Sequence, residues 1–280
     1  MSKHFSFEFF PPKTDAGAVK LRDVTQTLAA LKPEYFSVTY GAGGSTRDRS
    51  LGTVLEIQKH SGRPAAPHLS CVGDSKAELA ELLETYKANG IRHIVALRGD
   101  LPSGMGASHG ELAYAADLVR FIREQHGDHF HIEVAAYPEC HPQAANLATD
   151  IGHFVHKVQQ GANSAITQYF FNADSYFHFV EAVQKKGVSI PVIPGIMPIT
   201  NFANLVRFSD ACGAEIPRWI RKQAASYGDD TASIQKFGED VITQLCEQLL
   251  AGGAPGLHFY TMNQTEPTLA LWLRLGLPRN

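Results

Sequence analysis

A single carboxylate, Glu8, lies within an otherwise apolar segment near the start of the chain, where residues 6–12 read SFEFFPP. The neighbouring phenylalanines predict a buried strand. Pro11 and Pro12 predict its end, since proline has no N–H for a sheet and fixes φ. A charge at this point costs free energy unless it is paired or put to use. Glu8 is therefore either an exposed residue of an edge strand or a group with a chemical task.

Other polar residues cluster where predicted strands end. His68 lies in the third predicted strand, and residues 98–100 (Arg-Gly-Asp) follow the fourth. Residues 138–141 (Pro-Glu-Cys-His) follow the fifth strand, Thr167-Gln168 end the sixth, and Asn263-Gln264 follow the eighth. In a parallel α/β barrel, chemistry collects at the carboxyl ends of the strands. The common location therefore predicts one concave site.

Each of these features has a plainer interpretation. The segment GAGGSTR (41–47) could cradle a phosphate, but it matches no established phosphate-binding pattern and is equally typical of a turn. Arg98 and Asp100 could form a structural ion pair. His68 and Cys71, with Glu139 and His141, could ligate zinc, but residues three apart in a strand point to opposite faces.

The elements that must position these residues alternate between short apolar segments and longer amphipathic ones. The predicted strands are 4–10, 35–40, 66–72, 92–98, 131–137, 164–170, 188–196 and 256–262. Between them lie helical patterns; one has a capping box at Ser75 and Glu78, and three are predicted over 201–212, 215–226 and 230–251. Eight strands with crossover helices predict a single (β/α)8 barrel, with a doubly wound open sheet as the alternative.

Composition narrows the class of protein. The chain has 280 residues, of which 44% are hydrophobic, with 25 Lys plus Arg against 28 Asp plus Glu. This near balance argues against nucleic-acid or membrane-surface binding. We expect a cytoplasmic protein, because no secretory signal or membrane-length apolar run is visible and the four cysteines are widely separated.

Several motifs occur together in a specific order: SFEFFPPK, FSVTYGAGGSTRDR, APHLSCV, GIRHIVALRGDLP, VAAYPECHP, GANSAITQYFF, IPGIMPITNF and LHFYTMNQ. In this combination the chain resembles the methylenetetrahydrofolate reductases, in their short bacterial form, over essentially its whole length. The resemblance implies one catalytic barrel over residues 1–280 without a regulatory domain, and FAD bound at the carboxyl ends of the strands.

The resemblance also implies a reaction. NAD(P)H, expected to be NADH, reduces the flavin and leaves. 5,10-Methylenetetrahydrofolate then takes its place and is reduced to 5-methyltetrahydrofolate, which feeds methionine biosynthesis. Small molecules are the expected partners, and a homo-oligomer is the expected assembly.

Three residues match the family's catalytic positions. Glu8 resembles the general acid that protonates the folate amine as its five-membered ring opens. Its phenylalanine neighbours lead us to expect a raised pKa. Asp100 matches the aspartate beside flavin and pterin, and Gln168 matches the glutamine that touches folate and nicotinamide nucleotide in turn.

Further positions match binding residues of the family. Asn204, Phe208 and Gln264, together with Asp100 and Gln168, match substrate contacts, although Asn204 replaces a glutamine and Gln264 an arginine. Thr39 could serve the nicotinamide nucleotide rather than the flavin. The positions that match flavin contacts are Thr39, Tyr40, Ala42, His68, Arg98, Gly99, Asp100, Tyr114, Ala115, Tyr137, His141, Ala144, Asp150 and Lys157.

Two other functions stay open on the sequence. A metal-dependent barrel hydrolase would use His68, Cys71, Glu139 and His141. A flavin or folate carrier without turnover would keep the barrel, but it would leave Glu8 without a task.

Overall fold

Parallel strands surrounded by helices make up the computed structural model, which describes residues 3–40, 44–99 and 110–278, without the side chains of 44–48. The strands are β1 (His4–Phe9), β2 (Tyr35–Val38), β3 (Ala65–Ser70), β4 (His93–Leu97), β5 (His131–Ala136), β6 (Ser164–Thr167), β7 (Val192–Ile193), β8 (Gly195–Ile196) and β9 (Gly256–Tyr260). The helices are α1 (Asp15–Ala29), α2 (Gly44–Ser61), α3 (Lys76–Ala88), α4 (Ala115–His126), α5 (Leu147–Gln159), α6 (Ala173–Gln184), α7 (Phe202–Cys212), α8 (Arg218–Ser226), α9 (Thr231–Ala251) and α10 (Glu266–Arg274).

The strand order is β7-β6-β5-β4-β3-β2-β1-β9-β8, and every pair is parallel. Pro194 alone separates β7, which pairs with β6, from β8, which pairs with β9. The ring of strands therefore closes through residues 192–196, and the predicted barrel is confirmed. The predicted seventh strand over 188–196 was too long, because Pro194 cannot donate to the ladder. Its carbonyl still accepts a hydrogen bond from His258 N at 3.0 Å.

Alternation along β1 separates two faces. Phe7 and Phe9 are buried against the surrounding helices, and the Phe7 ring lies 5.7 Å from that of Trp272 on α10. Burying each such ring is worth about 1.5–3 kcal/mol. Ser6 and Glu8 point the other way, into the barrel. The phenylalanines beside Glu8 in the sequence therefore do not surround its side chain.

The interior of the barrel contains a small apolar cluster and polar side chains around it. A small apolar cluster of Tyr35, Ala66, Val95 and Ile166 is separate from the large core between strands and helices. Polar side chains of alternate strand positions lie around this cluster. The interior therefore offers polar groups both at the carboxyl ends of the strands and at their amino ends.

The helices follow their predicted signals. The Ser75 side chain accepts from Glu78 N, and the Glu78 side chain accepts from Ser75 N, which confirms the capping box of α3. Leu21, Val24 and Leu28 form the buried face of α1. The three helices predicted between Pro198 and Gly256 are present as α7, α8 and α9, with boundaries within three residues of the prediction.

Candidate active site

Glu8 lies near the carboxyl end of β1, on the inside of the barrel. Its carboxylate Oε2 is 3.2 Å from His68 Nε2 on β3 and 3.4 Å from His258 Nε2 on β9. Its side chain is 17% exposed, whereas that of His258 is 0% exposed. Glu8 is thus a carboxylate at the mouth of the barrel, held between two imidazoles.

The expected raised pKa of Glu8 was wrong. Burial does raise the pKa of Glu8, but the charge of His68 and the hydrogen bond and charge of His258 outweigh burial and lower it from 4.5 to about 2. The prediction failed because β1 turns the phenylalanines away and the barrel brings two histidines from distant strands. Glu8 is therefore ionised near neutral pH unless a bound molecule changes its surroundings.

The loop after β9 holds the end of β1 in place. Asn263 Nδ2 donates to Phe10 O at 2.9 Å, and Asn263 Oδ1 accepts from Phe10 N at 3.0 Å. The Thr261 hydroxyl donates to Glu8 O at 2.6 Å. Met262 and Asn263 both have left-handed φ values, of 52° and 55°, which is uncommon for residues other than glycine. The hydrogen bonds of Thr261 and Asn263 hold the backbone at Glu8 and Phe10, and backbone strain of this kind concentrates at functional sites.

Tyr260 crosses the barrel beside Glu8. Its hydroxyl donates to Thr167 O at 2.7 Å, at the end of β6. Gly195 makes this crossing possible, because a Cβ there would lie 2.2 Å from Thr167 O and 2.7 Å from the Tyr260 ring. The Tyr260 side chain therefore lies between Glu8 and the end of β6, which leads into Gln168.

The predicted substrate residues lie on three segments after the strands. Gln168 directly follows β6, is half-buried, and accepts from Tyr169 N through its side chain at 3.0 Å. Asn204 and Phe208 share one face of α7, with Asn204 exposed and Phe208 half-buried. Gln264 is exposed in the loop after β9. Asp100 lies outside the described residues.

Two cations among the predicted flavin residues lie at β4 and β5. Arg98 follows β4 and is half-buried. Lys157 on α5 donates through Nζ to Ala135 O, and burial lowers its pKa from 10.5 to about 8. Within residues 3–40, 44–99 and 110–278, no carboxylate lies within ion-pair distance of Lys157. Lys157 is half-buried, and the charge of Asp150 partly offsets the lowering of its pKa. A half-buried cation without an ion pair fits an anionic group such as the pyrophosphate of FAD.

Gly99 and Tyr114, two further predicted flavin residues, are also suited to contact FAD. Gly99 has φ of 89°, and a Cβ there would lie 1.9 Å from Ser70 Oγ, so only glycine lets the chain turn over β3. Tyr114 precedes α4, and its side chain is 65% exposed, which is unusual for a ring of that size. An exposed ring suits stacking on a flat heterocycle.

The remaining flavin positions line the ends of β2 and β5. Tyr137 and His141 form an edge-to-face pair with ring centroids 4.5 Å apart, and Asp150 accepts from His141 N at 2.8 Å. Thr39 and Tyr40 follow β2 and are half-buried. Ala115 and Ala144 are also half-buried, at α4 and in the loop before α5. Ala42 lies outside the described residues.

The metal alternative required His68, Cys71, Glu139 and His141 to converge. Among the residues that the structure describes, no group of three or more His, Cys, Asp or Glu side chains is arranged to hold a metal ion. His68 instead faces Glu8, while burial raises the pKa of the Cys71 thiol to about 11. A cavity of about 330 Å³ lies outside the barrel between α1 and α2, and it contains none of the predicted site residues.

A second buried carboxylate, Glu133, was not predicted from the sequence. Glu133 on β5 is 1% exposed and is contacted by Tyr35, His93 and Ser164 inside the barrel. The signal was available, since Glu133 is a lone carboxylate in an apolar strand, as Glu8 is. His258, the other missed residue, is a polar side chain in the apolar segment GLHFYTM.

Comparison with known proteins settles the family. A family model described as methylenetetrahydrofolate reductase matches residues 1–276. The chain belongs to the methylenetetrahydrofolate reductase family. A Salmonella typhimurium protein named 5,10-methylenetetrahydrofolate reductase is 40% identical over 272 residues, which are 97% of this chain and 90% of that protein. The chain is therefore an oxidoreductase by family.

Two further proteins extend the comparison. Arabidopsis thaliana methylenetetrahydrofolate reductase (NADH) 1 is 36% identical over 285 residues, which cover 98% of this chain and 48% of the plant protein. A Clostridium thermocellum protein described as binding two copies of 5-methyl-5,6,7,8-tetrahydrofolic acid superposes with a TM-score of 0.70 at 16% identity, covering 98% of this chain and 94% of its own. At that identity the likeness shows the fold alone. Among the described residues, every helix is too short or too polar to span a lipid bilayer.

Proposed function

We propose that this protein reduces 5,10-methylenetetrahydrofolate to 5-methyltetrahydrofolate with electrons from NADH, using bound FAD. The observation that carries the proposal is Glu8, a lone carboxylate at the mouth of a barrel of this family, placed by two imidazoles and a strained loop. The names of the Salmonella and Arabidopsis relatives support the substrate and the electron donor. The Clostridium protein, which is described as binding a methylated tetrahydrofolate, supports folate binding by a barrel of this shape.

Glu8 supplies the proton that the reaction needs. The five-membered ring of the folate opens when its amine nitrogen accepts a proton, which leaves an iminium carbon able to accept hydride. A folate seated over Glu8 removes the remaining water from it. Because burial is already the largest single influence on Glu8 and raises its pKa, further burial favours the protonated acid. General acid catalysis of this type contributes about 10²–10⁴-fold to a rate.

Bound FAD would carry hydride from the nicotinamide to the folate. Arg98 and Lys157 would hold its pyrophosphate, and Tyr114 offers a ring for stacking. Gln168, placed directly after β6, would contact the nicotinamide nucleotide and the folate in turn, with Thr39 as a further contact for the nucleotide. Asp100 is assigned by resemblance beside the flavin and the pterin.

The folate would extend from this mouth along the face of α7. Phe208 is half-buried there and offers a ring to the substrate, while Asn204 and Gln264 are exposed where its tail would pass. Since one mouth serves both substrates, they would bind alternately, in a ping-pong mechanism. The methyl product would feed methionine biosynthesis in the cytoplasm, and the active form would be a homo-oligomer.

The visible spectrum of the purified protein tests this function. A flavin spectrum that bleaches with NADH under anaerobic conditions and recovers with methylenetetrahydrofolate is expected. A colourless protein that FAD cannot reconstitute would contradict the proposal. A bleached protein that folate does not reoxidise would contradict the substrate assignment alone.

A further inference from the structure

We propose that Arg207 on α7 binds the carboxylates of the glutamate that ends the folate substrate. This inference rests on the proposed function, because it names the residue that recognises one part of that substrate. The residues assigned so far to the substrate offer amides, one carboxylate and one aromatic ring, but no positive charge. The two carboxylates of a glutamate therefore have no cationic partner among those residues.

The position of α7 places Arg207 beside the mouth of the barrel. The Ser209 hydroxyl on α7 is 3.0 Å from the Tyr169 hydroxyl, and both residues are buried. Tyr169 directly follows Gln168, the predicted contact of both substrates, and its ring lies 6.4 Å from that of Tyr260. The buried side of α7 is therefore anchored at the carboxyl end of β6, and the residues next to Ser209 lie at the edge of the mouth.

Arg207 shares one face of α7 with two predicted substrate residues. Asn204 lies three residues before it and Phe208 directly after it, so the three form one patch on the helix surface. The Arg207 guanidinium carbon, Cζ, lies 5.2 Å from the centroid of the Phe208 ring. A guanidinium on an aromatic ring keeps the N–H groups of its edge available for an anion. The cation is therefore held next to the ring that would contact the substrate.

No carboxylate of α7 neutralises Arg207. Asp210, three residues further along the helix, instead pairs with Arg221 of α8, with Oδ1 and Nη2 3.8 Å apart. In the part of the chain that the structure describes, no carboxylate lies within ion-pair distance of Arg207. Arg207 is exposed, so a ligand can reach it from solvent. Its planar fork of N–H groups matches a carboxylate in bidentate geometry.

The test compares a ligand that has the glutamate with one that lacks it. Isothermal titration calorimetry measures the binding of 5-methyltetrahydrofolate and of the corresponding tetrahydropteroyl amide, which ends in an uncharged carboxamide. In the parent, loss of the glutamate should weaken binding by about 3- to 10-fold, as expected for one exposed bidentate ion pair. Salt at about 0.5 M should remove most of this difference, because it screens exposed charges.

Arg207→Gln should weaken 5-methyltetrahydrofolate by the same factor and leave the amide unchanged. Arg207→Lys should keep part of the affinity, because lysine retains the charge without the fork. Arg22→Gln is the matched control. Arg22 is also an exposed helical arginine, but it pairs with Glu56 at 3.0 Å on the outside of the barrel. Arg22→Gln should leave the affinity for both ligands unchanged.

Equal affinity of Arg207→Gln and the parent for 5-methyltetrahydrofolate would overturn the proposal. Equal weakening of both ligands would also overturn it, because a packing defect around Phe208 affects both. A parent that binds the two ligands equally well would overturn it without any variant. Failure of the proposed function is distinguishable, since the parent would then bind neither ligand.

Discussion

Replacing Glu133 with glutamine is expected to destabilise the protein at neutral pH and much less in acid. Glu133 is 1% exposed and accepts hydrogen bonds from Tyr35 and Ser164 next to His93. Burial raises the pKa of Glu133, but the hydrogen bond and charge of His93 and the Tyr35 hydroxyl lower it from 4.5 to about 2. A lowering of the pKa by this amount corresponds to about 3 kcal/mol of stability.

The stability that Glu133 contributes depends on pH, because its pKa is lower in the folded protein than in the unfolded chain. The contribution of Glu133 is fully present above its unfolded pKa of 4.5 and is lost as the pH falls towards its folded pKa of about 2. Glu133→Gln should therefore lower the free energy of unfolding by about 3 kcal/mol at about pH 7, but by only about 1–1.5 kcal/mol at about pH 3. At this chain length the neutral-pH loss corresponds to about 6–10 °C in Tm.

Urea unfolding of the parent and the variant at both pH values provides the measurement. Glu34→Gln is a matched control, because Glu34 also contacts a histidine, His4 at 2.7 Å, but on the surface. Exposed pairs are worth about 0–1 kcal/mol, so that variant should change little at either pH. If Glu133→Gln lowers the free energy of unfolding equally at both pH values, the lowered pKa of Glu133 does not contribute to stability and the loss comes from packing alone.

Three further outcomes are expected. Gly195→Ala should destabilise the protein by about 1–3 kcal/mol in thermal unfolding, since its Cβ meets the Tyr260 ring; unchanged Tm would contradict that close approach. Lys157→Met should weaken FAD binding at least about 10-fold in a fluorescence titration. The apoprotein should be as stable as the parent or up to about 3 kcal/mol more stable, because a half-buried, partly desolvated charge is removed; equal FAD affinity would exclude a role of Lys157 in FAD binding. His258→Asn should raise the pKa of Glu8. The rate of the folate half-reaction, which falls as Glu8 loses its proton, should then fall at a higher pH. An unchanged pH profile would show that His258 does not control the pKa of Glu8.

Much of the fold followed from local patterns. The alternation of short apolar and longer amphipathic segments, with the Ser75 capping box and the periodicity of α7 to α9, predicted the barrel and its order of elements. The division of the seventh strand did not follow, because it depends on how Pro194 meets β9 rather than on local preference.

The candidate site was less predictable from the sequence than the fold. The position of Glu8 at the carboxyl end of β1 followed from strand order and from resemblance, but its environment did not. His68 and His258 are 60 and 250 residues away in sequence, and only ring closure brings both to Glu8. The same holds for Tyr35 and Glu133, whose contact joins β2 and β5 across the barrel.

We propose that Glu8 delivers a proton to the folate and to no other group in the cycle. The most direct measurement follows flavin absorbance in Glu8→Gln by anaerobic stopped flow, first with NADH and then with methylenetetrahydrofolate. Reduction by NADH should stay within about 2-fold of the parent, while reoxidation by folate should fall by about 10²-fold or more. Reoxidation at the parent rate would contradict the account, and loss of both half-reactions would assign Glu8 to cofactor binding instead.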